Sequence, residues 1–220
     1  MSEYEVLKAI QETGVVAIAR GTTIEQMNRI VDALYRGGVR IIEVAFNTPN
    51  ASEIIRNLTK LYSDKMIIGA GTVLDAPTAR TAILSGAQFV LSPSLHSDVI
   101  QMSNKYNVLA VPGVFTPTEA VTAWELGARV IKVFPAGILG PNYIKQLLGP
   151  LDQLKIMVVG GIDEENFGHF IQAGAIGAGI GSNLVDRKLA DAGDYDEIYR
   201  KAKHFIEIFQ KYKEKEGDKK

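Results

Sequence analysis

Apolar residues along this chain keep two alternating rhythms. Short blocks rich in Val, Ile and Ala occupy 15–20, 41–46, 66–71, 89–93, 109–113, 130–135, 156–161 and 175–181, and each reads as a buried strand. Between them, apolar positions recur every three or four residues, as in Ile24, Met27, Ile30, Val31 and Leu34, which predicts a helix with one core-facing stripe. Glycines punctuate the helix ends at Gly37-Gly38, Gly86, Gly127 and Gly174. Thr22-Thr23-Ile24-Glu25 and Thr116-Pro117-Thr118-Glu119 supply caps, proline and acid in the order that opens a helix.

Eight strand–helix units predict an α/β fold of the (β/α)₈ barrel type in one domain over 1–212. A doubly wound open sheet is the alternative, but it would need fewer strands. Before the first strand, Val6, Leu7 and Ile10 mark an extra amphipathic helix over 3–12, expected to plug the base of the barrel. The segment 213–220, almost all charged or Gly, is expected to be a disordered tail.

With a net charge of −1, the chain carries no electrostatic footprint for nucleic acid or an anionic membrane. It has no cysteine, which excludes disulfides, thiolate metal sites and a cysteine nucleophile, and fits a cytoplasmic setting. The start of the chain lacks a basic patch followed by an apolar run, so no secretory leader is expected. No apolar stretch approaches the roughly 20 residues of a membrane helix. Asn57-Leu58-Thr59 matches a glycosylation pattern that a cytoplasmic protein does not use.

Two charges interrupt the apolar strands. Lys132 sits within Arg129-Val130-Ile131-Lys132-Val133-Phe134-Pro135, and Glu43 within Ile41-Ile42-Glu43-Val44-Ala45-Phe46. An edge-protecting lysine and a solvated glutamate would be the unreactive explanation. In a barrel, however, alternate strand residues point inward and active sites form at the C-terminal ends of the strands. If Lys132 and Glu43 share the inward face, they converge near the mouth. At an ordinary lysine pKa of about 10.4, only roughly 0.04% of the amine is neutral at pH 7. Apolar surroundings raise that fraction and make the amine a nucleophile for a carbonyl carbon. The Schiff base so formed withdraws electrons and permits cleavage of a nearby C–C bond, for which a partly buried Glu43 is the candidate proton carrier.

Other segments point to anions. Gly160 and Gly161 close the seventh strand, and Gly181 and Ser182 close the eighth; backbone N–H groups there, with a helix start behind them, suit phosphate. Tight turns and close packing would also use these glycines. Gly71 and Thr72, in Ile68-Gly69-Ala70-Gly71-Thr72-Val73, are placed to hold a carboxylate, though a plain turn fits the segment as well. Arg20 ends the first strand facing the same mouth, as an anion ligand or a surface salt bridge. A dinucleotide fingerprint fits poorly, because Gly177-Ala178-Gly179 is followed by Ser182 where Gly or Ala is required.

Taken jointly, Ile42-Glu43-Val44, Ile68 to Val73, Ser92-Pro93, Pro112-Gly113 with Thr116 to Glu119, Ile131 to Pro135 and Gly160-Gly161-Ile162 resemble the 2-keto-3-deoxy-6-phosphogluconate (KDPG) aldolases, with their 4-hydroxy-2-oxoglutarate (KHG) and 6-phosphogalactonate relatives. The resemblance implies a homotrimeric, metal-independent class I aldolase without a cofactor, acting on a phosphorylated keto sugar acid and releasing pyruvate and glyceraldehyde 3-phosphate. It implies that Lys132 forms the Schiff base and Glu43 is the acid/base. Thr72 and the backbone near Gly71 would hold the pyruvate carboxylate, Pro93 and Phe134 would wall the pocket, and Gly160, Gly161, Gly181 and Ser182 would hold the phosphate. Two departures stand out. Phe46-Asn47-Thr48 replaces a Leu-Arg-Thr segment found in some members, leaving the anion contact to Arg20. Val159 replaces a Thr common in gluconate-type members and predicts mild preference for the galactonate epimer.

A phosphosugar isomerase or epimerase on the same barrel would use Glu43 for proton transfer and Lys132 only as a charge. A non-catalytic sugar-phosphate sensor would need neither. The three histidines, His96, His169 and His204, are scattered and do not predict a metal site.

Overall fold

A computed structural model describes residues 1–217, with side chains described through 214. Parallel strands β1 (Val15–Ala19), β2 (Ile41–Ala45), β3 (Ile67–Gly71), β4 (Phe89–Leu91), β5 (Leu109–Val111), β6 (Gly113–Val114), β7 (Ile131–Val133), β8 (Ile156–Val159) and β9 (Gly177–Ile180) pair in the order β5-β4-β3-β2-β1-β9-β8-β7-β6. β5 and β6 are halves of one strand interrupted at Pro112, which has no N–H to give the ladder. Its carbonyl still accepts from Lys132 N at 2.8 Å. With the halves counted together, eight strands close a circle, so the expected barrel is the observed one. The expected fifth strand is merely split.

Helices form where the sequence cues lie. α1 (Glu3–Thr13) precedes β1, and α2 (Ile24–Arg36), α3 (Ala51–Tyr62), α4 (Ala76–Leu84), α5 (Ser97–Lys105), α6 (Pro117–Glu125), α7 (Ala136–Leu148), α8 (Phe167–Gln172), α9 (Arg187–Ala192) and α10 (Tyr195–Gly217) follow in order. Thr23 with Gln26 and Thr116 with Glu119 form reciprocal capping boxes, satisfying N–H groups that the first helical turn leaves orphaned. Gly86, Gly127 and Gly174 follow helix ends with φ near +100°, a region that L side chains avoid.

Two apolar cores result. The outer one packs helices on the sheet. The inner one fills the barrel: Val16, Ile41, Ile67, Phe89, Leu109, Val130 and Met157 cluster with Val6, Leu7 and Ile10 of α1. The N-terminal helix therefore plugs the barrel base as expected. Phe89 reaches its place because Gly69, on the neighbouring strand, has no Cβ to meet its ring.

Residues 213–217, expected as the start of a disordered tail, instead continue α10 to Gly217. Lys213 Nζ donates to the Gln11 carbonyl at 2.8 Å, tying this end to α1. The rest of that expected tail, 218–220, lies outside the described residues. Among the described residues no helix is long and apolar enough to cross a membrane.

Candidate active site

The site sits at the C-terminal ends of the strands, on a barrel layer that apolar residues fill only in part. Glu43 on β2 and Lys132 on β7 both point inward, opposite strand neighbours that are mostly apolar or glycine. Only 2% of Glu43 and 5% of Lys132 is exposed. Burial pushes the Glu43 carboxyl up from its usual range, while the charges of Lys132 and Arg20 pull it back. Burial also pushes the Lys132 amine down; Glu43 opposes this and Arg20 adds to it. Among the described residues the two groups do not meet at ion-pair distance. Lys132 Nζ stands 5.0 Å from the Phe134 ring centroid, and Glu43 Oε2 is buried without a hydrogen-bond partner. Burial disfavours the charged form of each group, and the partner's charge offsets this only in part.

Both groups open into one cavity of about 640 Å³. Arg20, Thr72, Pro93, Phe134, Gly160, Gly161, Gly181 and Ser182 line it, so every residue singled out from the sequence is there except Gly71. Gly71 faces inward on β3, where a Cβ would run into the Glu43 carboxylate. Its missing Cβ leaves the space in which Glu43 stands. Thr72, the next residue, adopts φ 58, unusual for a β-branched side chain.

The glycine loops differ from the expectation in what lies behind them. Gly160 and Gly161 have φ +87 and +71, and a Cβ on Gly160 would come within 3.0 Å of the Phe134 ring. The two loops are joined by Asn183 Nδ2, which donates to the Ile162 carbonyl at 2.7 Å. Neither loop leads straight into a helix. After Gly181 the chain makes a single turn, with Leu184 and Val185 N–H groups donating to the Gly181 carbonyl, and α8 and α9 begin only at Phe167 and Arg187.

Arg20 has no hydrogen bond or ion pair among the described residues, so the salt-bridge alternative does not apply and its guanidinium is free to meet an anion. Thr48, in the segment that departs from the family pattern, accepts from Gly21 N at 3.0 Å and fixes the loop after Arg20. Sequence reasoning missed the outer rim: Asp186, Arg187, Lys188 and Asp191 also line the cavity. The available signal was the charged cluster just after the last glycine loop, which periodicity assigns to an ordinary helix start.

Among the described residues no cluster of His, Cys, Asp and Glu could hold a metal ion. A buried amine, a buried carboxyl and a glycine-lined outer pocket at a barrel mouth are the parts of a carbonyl-directed site with room for an anionic tail. A family model described as KDPG and KHG aldolase matches residues 6–201. The 2-dehydro-3-deoxy-6-phosphogalactonate aldolase of Escherichia coli is 37% identical over 194 residues, 85% of this chain and 95% of that one. The 2-dehydro-3-deoxy-phosphogluconate aldolase of Haemophilus influenzae is 32% identical over 94% of this chain and 97% of that one. A solved structure described as native KDPGal superposes with a TM-score of 0.86 at 33% identity, covering 91% of this chain and 96% of that one. The pattern of strands, the mouth that holds Lys132 and Glu43 and these likenesses converge: the chain belongs to the KDPG and KHG aldolase family.

Proposed function

We propose that the protein is a class I aldolase that reversibly cleaves a 2-keto-3-deoxy-6-phospho sugar acid to pyruvate and glyceraldehyde 3-phosphate. The observation that carries this reading is the pairing of a buried amine, held below its usual pKa, with a buried carboxyl held above its own, across one cavity. Neutral Lys132 adds to the C2 carbonyl, and loss of water gives an iminium. As the C3–C4 bond breaks, its electrons flow into the iminium, the C4 hydroxyl loses its proton and glyceraldehyde 3-phosphate departs. The enamine left behind takes a proton at C3, and hydrolysis returns pyruvate and the free amine. Glu43, whose carboxyl is pushed above its usual range by burial, carries the protons in and out.

Thr72 and Arg20 hold the pyruvate carboxylate, Pro93 and Phe134 wall the reacting carbons, and Gly160, Gly161, Gly181 and Ser182 hold the phosphate. Gly71 serves this arrangement through Glu43. The steps call on no metal and no cofactor. The reading extends to cleavage of 4-hydroxy-2-oxoglutarate, to a homotrimer and to a cytoplasmic setting. Family membership supports the trimer, and a cysteine-free chain supports the compartment.

Val159 lines the cavity beside the glycine loop and offers no hydroxyl. A neutral hydrogen bond is worth about 0.5–1.5 kcal/mol, so its absence shifts epimer choice by only about 2- to 13-fold. Both C4 epimers are therefore substrates, with a mild galactonate bias, and Val159→Thr moves the kcat/KM ratio toward the gluconate epimer.

Borohydride reduction in the presence of pyruvate tests the whole reading. It should fix one pyruvate-derived group on Lys132, and Lys132→Arg should fix none, because a guanidinium stays protonated. Absence of any adduct, or its location on Lys145 or Lys155, would overturn the assignment.

A further inference from the structure

The rim beyond Ser182 carries a cation that the reaction as written leaves idle. Arg187 is the first residue of α9 and lines the same cavity as Lys132 and the glycine loops. Its side chain is 68% exposed, and its Nε stands 3.5 Å from Asp191 Oδ2, a long and solvated ion pair of the kind that contributes little. Asp191 is also engaged from behind, where its Oδ1 accepts from Gln26 Nε2 at 2.9 Å. The other rim carboxylate, Asp186, caps α9 by accepting from Lys188 N at 2.8 Å. Both rim carboxylates thus have partners of their own.

Position 21 shows where the guanidinium points. A Cβ on Gly21 would stand 3.3 Å from Arg187 Nη1, so Arg187 leans over the loop that follows Arg20. Two guanidinium groups from opposite ends of the chain therefore border one mouth. Among the described residues one has no hydrogen-bond or ion-pair partner, and the other has only an exposed pair, easily exchanged for a better anion. A phosphate offers a planar guanidinium two acceptor oxygens at once, which an exposed carboxylate at 3.5 Å does not match.

We infer that Arg187 is a phosphate-binding residue: its guanidinium closes on the distal phosphate from the rim while the glycine loops hold it from the wall, and this contact sets the preference for phosphorylated over unphosphorylated keto acids. The inference rests on the proposed function for the identity of the substrate, and on the cavity geometry for the contact itself.

The test compares kcat/KM for 2-keto-3-deoxy-6-phosphogluconate with that for the same acid lacking phosphate. Arg187→Ala should lower the ratio roughly tenfold, the low end for a hydrogen bond to a charged group because the guanidinium is largely exposed. Arg187→Lys, which keeps the charge and loses the fork, should fall between. A ratio changed by less than about twofold, the scale of an ordinary surface substitution, overturns the inference. Binding of glycerol 3-phosphate, followed by calorimetry, reads the contact without turnover: weakening in Arg187→Ala supports it and unchanged affinity overturns it. Borohydride trapping of pyruvate on the unsubstituted protein separates the two claims. If no adduct forms but Arg187→Ala loses glycerol 3-phosphate affinity, the aldolase reading falls and the phosphate contact stands. If the adduct forms and affinity is unchanged, the contact falls and the aldolase reading stands.

Discussion

Gly71→Ala is the substitution that most directly tests how the site is built. Gly71 lies in β3 outside the positive-φ region, so an alanine is compatible with the backbone. Its Cβ, however, would stand 2.5 Å from Glu43 Cδ and 3.0 Å from Oε2. Comfortable carbon contacts need about 3.5–4.0 Å, so the carboxylate must retreat by about 1 Å. Glu43 is buried on all other sides, which directs the retreat into the cavity. Overpacking of this kind costs about 1–3 kcal/mol of stability. A misplacement of about 1 Å costs on the order of 10²-fold in rate, and complete loss of an acid/base contact about 10²–10⁴-fold. The assay is exchange of the pyruvate methyl protons, which needs proton transfer but no second substrate. Gly71→Ala should slow it by about 10²-fold while borohydride still traps pyruvate on Lys132. In a Glu43→Ala background the added methyl meets no carboxylate, so the stability cost should largely vanish, a coupling of about 1 kcal/mol or more. Exchange in Gly71→Ala within about twofold of the unsubstituted protein would refute the claim that this glycine exists to seat the proton carrier.

Three further outcomes follow from the same geometry. Arg20→Ala removes a charge that lowers the Lys132 pKa, so the acid limb of pyruvate trapping should move to higher pH; Glu43→Gln removes one that raises it and should move the limb the other way. Shifts in the same direction would mean that charge does not govern the amine. Glu119 is held below the usual carboxylate range, chiefly by the Phe115 N–H. The unfolded chain therefore binds the extra proton between the two pKa values, and stability rises with pH there. The denaturant-measured gap between the unsubstituted protein and Glu119→Ala should be present above about pH 4.3 and lost as pH falls through the folded value. A gap independent of pH would assign the effect to packing. Ile10→Ala leaves a hole at the barrel base and should cost about 2–5 kcal/mol. A loss below about 0.5 kcal/mol in urea unfolding would mean that the plug adds nothing to the core.

The barrel, its plugging helix and the buried pair Lys132 and Glu43 were legible in the sequence for a common reason. A strand buried on both faces must be apolar, so Lys132 and Glu43 stand out against Val, Ile and Ala without any coordinates, and caps and glycine stops mark the helices locally. Tertiary structure alone decided what depends on distances between strands. The sequence presents Gly71 as part of a turn; only the pairing of β3 with β2 shows that its missing Cβ is the seat of Glu43. Arg20 could have been a salt bridge or an anion ligand; only the folded barrel shows that it has no ion pair among the described residues. Arg187 was invisible because a charged residue opening an amphipathic helix is what solvent alone would select, and its place on the rim depends on closure bringing the start and the end of the chain to the same mouth. A linear pattern encodes whether a residue is buried. Which residues from distant strands share a cavity is fixed only when the sheet closes on itself.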